Sequence, residues 1–428
     1  MTEDAFYRAS TQYRLWSFTA ESLESLRSST NATAAERVRA AVKRAREQRV
    51  DSASSANASS ANASEVETER DDKHKADANP ANGGQQGQEE VECLTVEEEQ
   101  KLVRYYCVKA MEMADFCKFP TNVKATAVQY LKRFYLSNSP MTYHPKSIMP
   151  CALFLATKTE THYTSLRSFA SKIPKIDAED IIAPEYLITQ ALRFTFDVRH
   201  PFRALEGGFM ELLAMADGKD GLTDQPGEET KLALQSIKAP DGSERSPLTA
   251  EGTKNRIREA HGKAKEILKT TAILSDAYLL YTPAQIWIAS LLAVDEPLAL
   301  FYVDVKLPSP VSVDTDESNL KASLKMKLIP QLRSLAAMLQ STTTGAAIIA
   351  PSKEELAELR RIDKKLYKCR NPEKIDLVGL NQAVKREGGG APTEGETDEQ
   401  DKTAKKRKGE RAQMLKDGED LFGGPLSK

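Results

Sequence analysis

The chain has 428 residues and a formal net charge of −2 at pH 7, so it is long enough for two or three domains and lacks an overall basic field for nucleic acid. Its five cysteines are scattered and form no CxxC pair, which argues against a disulfide framework or a zinc ribbon. The first residues lack the apolar segment of a signal peptide, and no apolar run of about 18 residues is present. We therefore expect a chain from a reducing compartment that makes no membrane contact.

The first predicted element is a helix at about residues 20–48, within an N-terminal segment that spans residues 1–50. Thr19 can cap this helix, and Glu21 and Glu24 suit its first turn. It precedes any obvious core, so its apolar face must dock elsewhere. Residues 51–93 form an insertion that is predicted to be disordered, because it contains very few large apolar residues.

Residues 94–198 form a first helical unit. Thr95 and Glu98 make a capping box at its start. Its third helix is apolar nearly all round, which predicts a central helix enclosed by its neighbours. His144, just before this helix, is expected to be a cap or turn residue rather than a ligand. Five helices are predicted in this unit. The first starts after Thr95 and ends near Phe116, and the other four cover about 120–136, 145–158, 165–173 and 184–194.

Residues 199–345 form a second helical unit. Helices are predicted at 202–216, 254–280, 283–294 and 320–340, with irregular structure at 301–318 and a Gly/Asp/Pro-rich inserted loop at 217–251. A C-terminal region, 346–385, carries a last helix at 352–367. The tail, 386–428, is predicted to be disordered, and its basic cluster Lys405–Lys408 is either a nuclear-import signal or a solvated charge run.

The two units share a sequence pattern around their buried helices. Tyr, Pro, Ile and Leu recur at one constant offset, and in each copy the Pro lies near the start of an apolar helix, where its missing N–H costs little. This pattern predicts two related, domain-sized helical copies. The matching positions are Tyr143, Pro145, Ile148 and Leu153 in the first copy and Tyr281, Pro283, Ile286 and Leu291 in the second.

The sequence lacks the motifs of common enzyme classes. It has no P-loop, no dinucleotide-binding glycine pattern after a strand, no HExxH and no Cys/His set with metal-ligand spacing. No parallel-sheet pattern is present that could form a cofactor crevice. We therefore expect an all-α protein that is not an enzyme and has no cofactor.

The two helical units, with an extra helix at each end, resemble the cyclin family, in which each unit is a five-helix cyclin box, and within that family the cyclin H group. The resemblance covers about residues 10–48, 94–216 and 254–370, and excludes the insertions and the tail. It rests on four strings, which are Tyr13–Phe18, Tyr130–Leu136, Met141–Pro145 and Asp276–Pro283.

The resemblance implies two tandem cyclin boxes that bind and activate a cyclin-dependent kinase. Cyclins hold the mobile C-helix of the kinase, and they grip the kinase through a Lys and acidic residues at the end of the third helix. This chain departs from the family at Thr161, where a second acid is usual. An aromatic residue, the fifth helix and the N-terminal segment are also expected near the kinase. The implied kinase-binding residues are Lys158, Glu160, Phe169, Glu185, Phe194 and Trp16.

The resemblance also implies a RING-finger assembly subunit, association with the TFIIH core, action on the RNA polymerase II C-terminal domain and on cell-cycle kinases, and a nuclear location. No direct contact with nucleic acid is expected. The residues leave alternatives open: another transcriptional cyclin with a different kinase, a two-repeat DNA-binding factor of the TFIIB type, or a helical scaffold. Lys158 could be a solvated helix end, and Phe169 could belong to the core.

Overall fold

A computed structural model describes residues 7–59, 91–173, 176–221, 226–244, 246–307, 316–341 and 352–369, without the side chains of 49–59, 316–321 and 341. All of these residues belong to one compact unit, Met1–Lys374. Every regular element in these ranges is a helix, which confirms the all-α class. The predicted disordered tail, 386–428, lies outside the described residues.

The N-terminal segment consists of a short helix, α1 (Thr11–Trp16), and a long helix, α2 (Ala20–Ser59). The prediction that the chain becomes disordered at residue 51 is wrong as far as Ser59. The segment from 51 to 59 contains three alanines, the strongest helix former, and no Gly or Pro, so helix α2 can continue through it. Residues 60–90 of the predicted insertion lie outside the described residues.

The first unit is built around α5, whose residues from Ile148 to Thr157 are all buried, as the apolar pattern predicts. Thr95 and Glu98 form the predicted capping box, and the His144 ring accepts a hydrogen bond from the amide of Lys146 as the predicted cap. The helices are α3 (Val96–Phe116), α4 (Thr121–Ser137), α5 (Pro145–Thr159), α6 (Leu166–Ala170), α7 (Ala178–Ile182) and α8 (Glu185–Ala191).

The second unit repeats this arrangement around a second buried helix, α14. Thr282 and Gln285 form a capping box at its start. Gly208 lets the ring of Trp287 approach the backbone of α9 closely, because a Cβ at that position would lie 2.3 Å from the ring. The helices are α9 (Phe202–Ala216), α10 (Gly227–Gln235), α11 (Ala250–Lys269), α12 (Thr271–Leu274), α13 (Ala277–Leu280), α14 (Pro283–Val294), α15 (Glu296–Lys306) and α16 (Asp316–Ser341).

Three predictions for the second unit are wrong. The inserted loop, 217–251, contains α10, which buries Leu234 completely, although Gly, Asp and Pro flank it. The predicted long helix, 254–280, breaks at Thr270, whose φ of −120° and ψ of −82° are not helical. The predicted irregular stretch, 301–318, is helical at 301–306 and at 316–318. Its first part is the end of α15, which starts at Glu296, where the Asp295 side chain accepts a hydrogen bond from the amide of Leu298, and its last part is the start of α16.

The C-terminal helix α17 (Lys353–Cys369) packs together with the N-terminal helix. Their side chains share a small core with α3 and the loop before α5, and this core is separate from the main one. It contains Ala34, Ala35 and Val38 from α2, Leu94, Leu102 and Met141 from the first unit, and Ile362, Leu366 and Cys369 from α17. None of the described helices is long and apolar enough to cross a bilayer.

Candidate functional site

Two of the predicted kinase-binding residues form an ion pair at the exposed end of α5. The Lys158 Nζ lies 2.6 Å from Oε1 of Glu185, the first residue of α8. The ammonium also lies over the ring of Phe154, 4.8 Å from its centre. About half of the Lys158 side chain is exposed. An ammonium has three N–H donors and Glu185 accepts from one, so the pair is oriented and retains capacity to bind a partner.

Glu160 is the C-cap residue of α5, and its carboxylate is hydrogen-bonded to α4. The next residue, Thr161, has a φ of +54°, a left-handed conformation that usually requires glycine. The Thr126 hydroxyl, on α4, donates to Oε1 of Glu160 at 2.6 Å. The His200 ring lowers the pKa of Glu160 and Thr126 adds to this, although partial burial opposes both. Glu160 is therefore an anchored carboxylate, and its predicted contact with a kinase stays a prediction.

Phe169 is completely buried beneath the ion pair of Lys158 and Glu185. Its ring stacks on Phe154, with ring centres 5.6 Å apart, and on Phe119 at 6.0 Å. Since Phe154 carries the ammonium of Lys158, Phe169 supports the ion pair from below. The ring is inaccessible in this structure, in agreement with its reading as a core residue, and its predicted contact with a kinase stays untested.

Phe194 is held outwards by an unusual turn after α8. Arg193 and Phe194 have φ values of +52° and +55°, and the Phe194 side chain is 61% exposed. A left-handed conformation at a residue other than glycine costs about 1–3 kcal/mol, and such conformations cluster at functional sites. The exposed ring agrees with the prediction that this residue can meet a partner.

Trp16 is buried and docks the N-terminal segment onto the first unit. Its indole Nε1 donates to Oγ1 of Thr195 at 2.9 Å. The guanidinium groups of Arg133 and Arg193 lie 5.0 and 5.4 Å from its ring centre. Arg193 therefore links this docking site to the exposed Phe194, but Trp16 itself is only 2% exposed. Its predicted contact with a kinase remains untested.

The structure adds two aromatic residues that the sequence did not single out. Tyr163 is 92% exposed in the loop after α5, and Tyr186 is 63% exposed directly after Glu185. Large exposed aromatic side chains are typical of interface residues. The available signal was their position: each is an aromatic residue within three positions of a predicted contact, Tyr163 of Glu160 and Tyr186 of Glu185.

An ionic cluster, formed by Arg27, Lys132 and Asp276, joins α2 to both units. Arg27 donates two hydrogen bonds of 2.8 Å to Asp276, and the Lys132 Nζ lies 3.3 Å from the same carboxylate. Lys132 also donates to the carbonyls of Leu274 and Ser275. Desolvation opposes ionisation of Asp276, but the charges of Lys132 and Arg27 lower its pKa well below the ordinary value.

The site at the end of α5 is suited to binding rather than to bond chemistry. It combines an oriented cation and a carboxylate over a supporting aromatic ring, and exposed aromatic residues lie nearby in the sequence. In the part of the chain that the structure describes, no three His, Cys, Asp or Glu side chains are grouped to hold a metal ion. The features that are present are those typical of a surface that can bind another macromolecule.

Comparison with known proteins gives matches along most of the chain. Residues 88–197 match the family described as Cyclin, N-terminal domain, and residues 200–340 match Cyclin C-terminal domain. Cyclin CCL1 of Saccharomyces cerevisiae is 30% identical over 310 residues, which is 72% of this chain and 63% of that protein. Cyclin-H of Xenopus laevis is 33% identical over 134 residues, which is 29% of this chain and 41% of that protein.

A solved structure matches over a larger share of both chains. A chain in the structure of the CAK complex from Chaetomium thermophilum bound to ATP-gamma-S aligns with a TM-score of 0.65 and 28% identity. The alignment covers 92% of this chain and 99% of that chain. The chain therefore spans less than two thirds of the two curated relatives but nearly all of this solved one.

Proposed function

Because this chain belongs to the cyclin family, we propose that it is a cyclin H-like regulatory subunit that binds and activates a cyclin-dependent kinase. The observation that carries the proposal is the Lys158–Glu185 pair at the exposed end of a buried helix. The similarity to cyclin-H of Xenopus laevis and to a chain of a CAK complex supports the choice of group.

The proposed mechanism is a change in the population of kinase conformations. An active kinase needs the Glu of its C-helix to pair with the ATP-binding Lys. The surface around Lys158 and Phe194 binds that helix in its active position, and the binding free energy shifts the kinase towards this state. The chain itself makes and breaks no bonds, so it is a regulator and not an enzyme.

The residues at the site divide into contacts and supports under this proposal. Lys158, Glu185 and Phe194 are at least partly exposed and contact the kinase directly. Phe169 and Trp16 are buried and act through the residues that they hold in place. Glu160 fixes the end of α5, and the exposed part of its carboxylate contacts the kinase.

The wider assembly follows from the same group. The proposed partners are the kinase of the CDK-activating complex, a RING-finger assembly subunit and, through that complex, the TFIIH core. The proposed targets are the RNA polymerase II C-terminal domain and cell-cycle kinases, and the proposed location is the nucleus. No direct nucleic-acid contact and no membrane contact belong to the proposal.

A comparison of two lysine variants tests the proposal. The chain is purified with the kinase that it captures, the kinase is identified by mass spectrometry, and its activity on a polymerase C-terminal-domain peptide is measured. Lys158→Met removes one member of a charge pair that binding desolvates, so affinity should fall by about 2 kcal/mol or more. Lys263→Met is the matched control, because Lys263 forms an ion pair of the same 2.6 Å length with Glu259 on the second unit.

The control should bind and activate the kinase as the unmodified chain does. Capture of a different transcriptional kinase would select the alternative cyclin reading. Equal affinities of the two variants, with both folded, would contradict the assignment of Lys158.

A further inference from the structure

A chain of hydrogen bonds runs from the second unit to the end of α5. The Tyr278 hydroxyl, on α13, lies 3.2 Å from Nδ1 of His200. Nε2 of His200 lies 2.8 Å from Oγ1 of Thr126, which donates to Oε1 of Glu160 at 2.6 Å. The side chains of Tyr278 and His200 are almost completely buried. The four groups therefore connect the second unit to the helix end that carries Lys158.

The donor and acceptor capacities of these groups fix the direction of every hydrogen bond in the series. The carboxylate of Glu160 can only accept, so the single Thr126 proton points to it. Oγ1 of Thr126 must then accept from Nε2–H of His200. In the neutral ring this leaves Nδ1 as an acceptor, which the Tyr278 O–H fills. Every donor has an acceptor when His200 is the neutral Nε2–H tautomer, so the chain specifies that tautomer.

The end of α5 needs an external hold because its backbone is strained. Thr161 adopts a left-handed φ of +54°, and the amide of His162 donates back to Thr157 across this turn at 2.9 Å. A left-handed conformation at a non-glycine residue persists only where its surroundings fix it. The hydrogen bond from Thr126 to Glu160 supplies that constraint directly next to the strained residue. Lys158, two positions earlier on the last turn, is fixed by the same anchor.

We propose that His200 is a positioning residue that couples the second unit to the kinase-binding end of α5. The coupling rests on the proposed function, since its effect is on how Lys158 meets a kinase. Breaking any hydrogen bond of this series, including the one made by Tyr278 on the second unit, should loosen the turn at Thr161 and weaken kinase binding. The second unit thereby takes part in kinase recognition without touching the kinase.

The test compares two tyrosine variants that each remove one buried hydroxyl from the second unit. Tyr278→Phe breaks the hydrogen-bond chain. Tyr302→Phe is the matched control, because Tyr302 is 8% exposed and its hydroxyl donates to Glu211 at 2.6 Å, outside the chain. Tyr278→Phe should raise the exchange of the His162 amide in the free protein and weaken kinase binding, each by roughly three- to tenfold, the range for one hydrogen bond. The control should leave both quantities unchanged.

A second pair of variants separates positioning from mere stability. His200→Gln retains an N–H donor near Nε2 and should restore most of the affinity, whereas His200→Leu should not. Nitrogen chemical shifts of the His200 ring should be those of a neutral Nε2–H tautomer. Rescue by Gln, at a melting temperature similar to that of the Leu variant, would support positioning.

Three results would overturn the coupling: unchanged exchange at His162 in Tyr278→Phe, faster exchange with unchanged affinity, or equal affinities of the Tyr278→Phe and Tyr302→Phe variants. Failure of the unmodified chain to bind any kinase would overturn the proposed function instead. That result is seen before any variant is compared, so the two failures are distinguishable.

Discussion

Asp276→Asn should strongly destabilise the fold, because it removes the only carboxylate of the ionic cluster of Arg27, Lys132 and Asp276. The amide has nearly the same shape but no charge. Arg27 would lose a bidentate ionic partner, and Lys132, which is only 8% exposed, would keep neutral oxygen acceptors, among them two backbone carbonyls, but no carboxylate within the cluster. The substitution therefore leaves a buried cation without a counter-charge.

The magnitude follows from the burial of the partners. Removing one member of a buried ion pair costs about 3–5 kcal/mol, whereas an exposed pair is worth about 0–1 kcal/mol. Asp276 is 29% exposed and Arg27 is 19% exposed, so the pair between them is only half-buried. We expect a loss of about 3 kcal/mol in the free energy of unfolding, at the lower end of the buried range.

Urea denaturation at neutral pH measures this loss. Asp304→Asn is the matched control, because Asp304 pairs with Lys325 at 2.7 Å but is 56% exposed. Adding Lys132→Met to Asp276→Asn should recover part of the loss, since an apolar side chain removes the uncompensated charge. The reasoning is refuted if Asp276→Asn and Asp304→Asn cost the same, or if Lys132→Met makes the Asn variant still less stable.

Two further predictions concern acid and packing. The pKa of Asp276 is lowered well below its ordinary value in the folded state, so its stabilisation is fully present above the unfolded pKa of about 3.9 and is lost progressively as pH falls from there through the lower folded pKa. The difference in urea midpoint between the unmodified chain and Asp276→Asn should therefore start to narrow between about pH 5.5 and pH 3 without vanishing there, and a constant difference would contradict this. Phe169→Ala removes a fully buried ring and should lower the free energy of unfolding by about 3–5 kcal/mol. Phe169→Leu should cost much less and retain kinase binding. Thermal unfolding and a binding assay check both variants, and a stable Ala variant that fails to bind would instead place the ring in the interface.

The sequence predicts best those elements whose signals are local. The capping box at Thr95, the cap at His144 and the buried third helix each depend on residues within one or two turns, and all three are confirmed. Helix α10 was missed because its apolar residues are few and lie between glycine- and proline-rich flanks. The break at Thr270 was missed because the packing of α12 and α13, rather than a Gly or Pro, ends α11 there.

The candidate site shows the same division. The Lys158–Glu185 pair joins two residues that the sequence had already selected, but their contact with each other depends on the placement of α8. The series of hydrogen bonds from Tyr278 to Glu160 could not be predicted, because its four residues lie on separate elements and no pattern of spacing connects them. Burial of Trp16 and Phe169 likewise depends on which surfaces meet in three dimensions.

The small core shared by α2 and α17 has a consequence for how the protein forms during synthesis. Val38 and Ile362 belong to that core, although they are more than 300 residues apart in the chain. Ribosomes add about 5–20 residues per second, so the N-terminal helix leaves the ribosome long before its last packing partner exists. Until then the apolar face of α2 is incompletely covered, and a nascent chain halted before α17 should be a natural client for chaperones. Completion of the C-terminal helix thus acts as the final closing step of a structure that began at its other end.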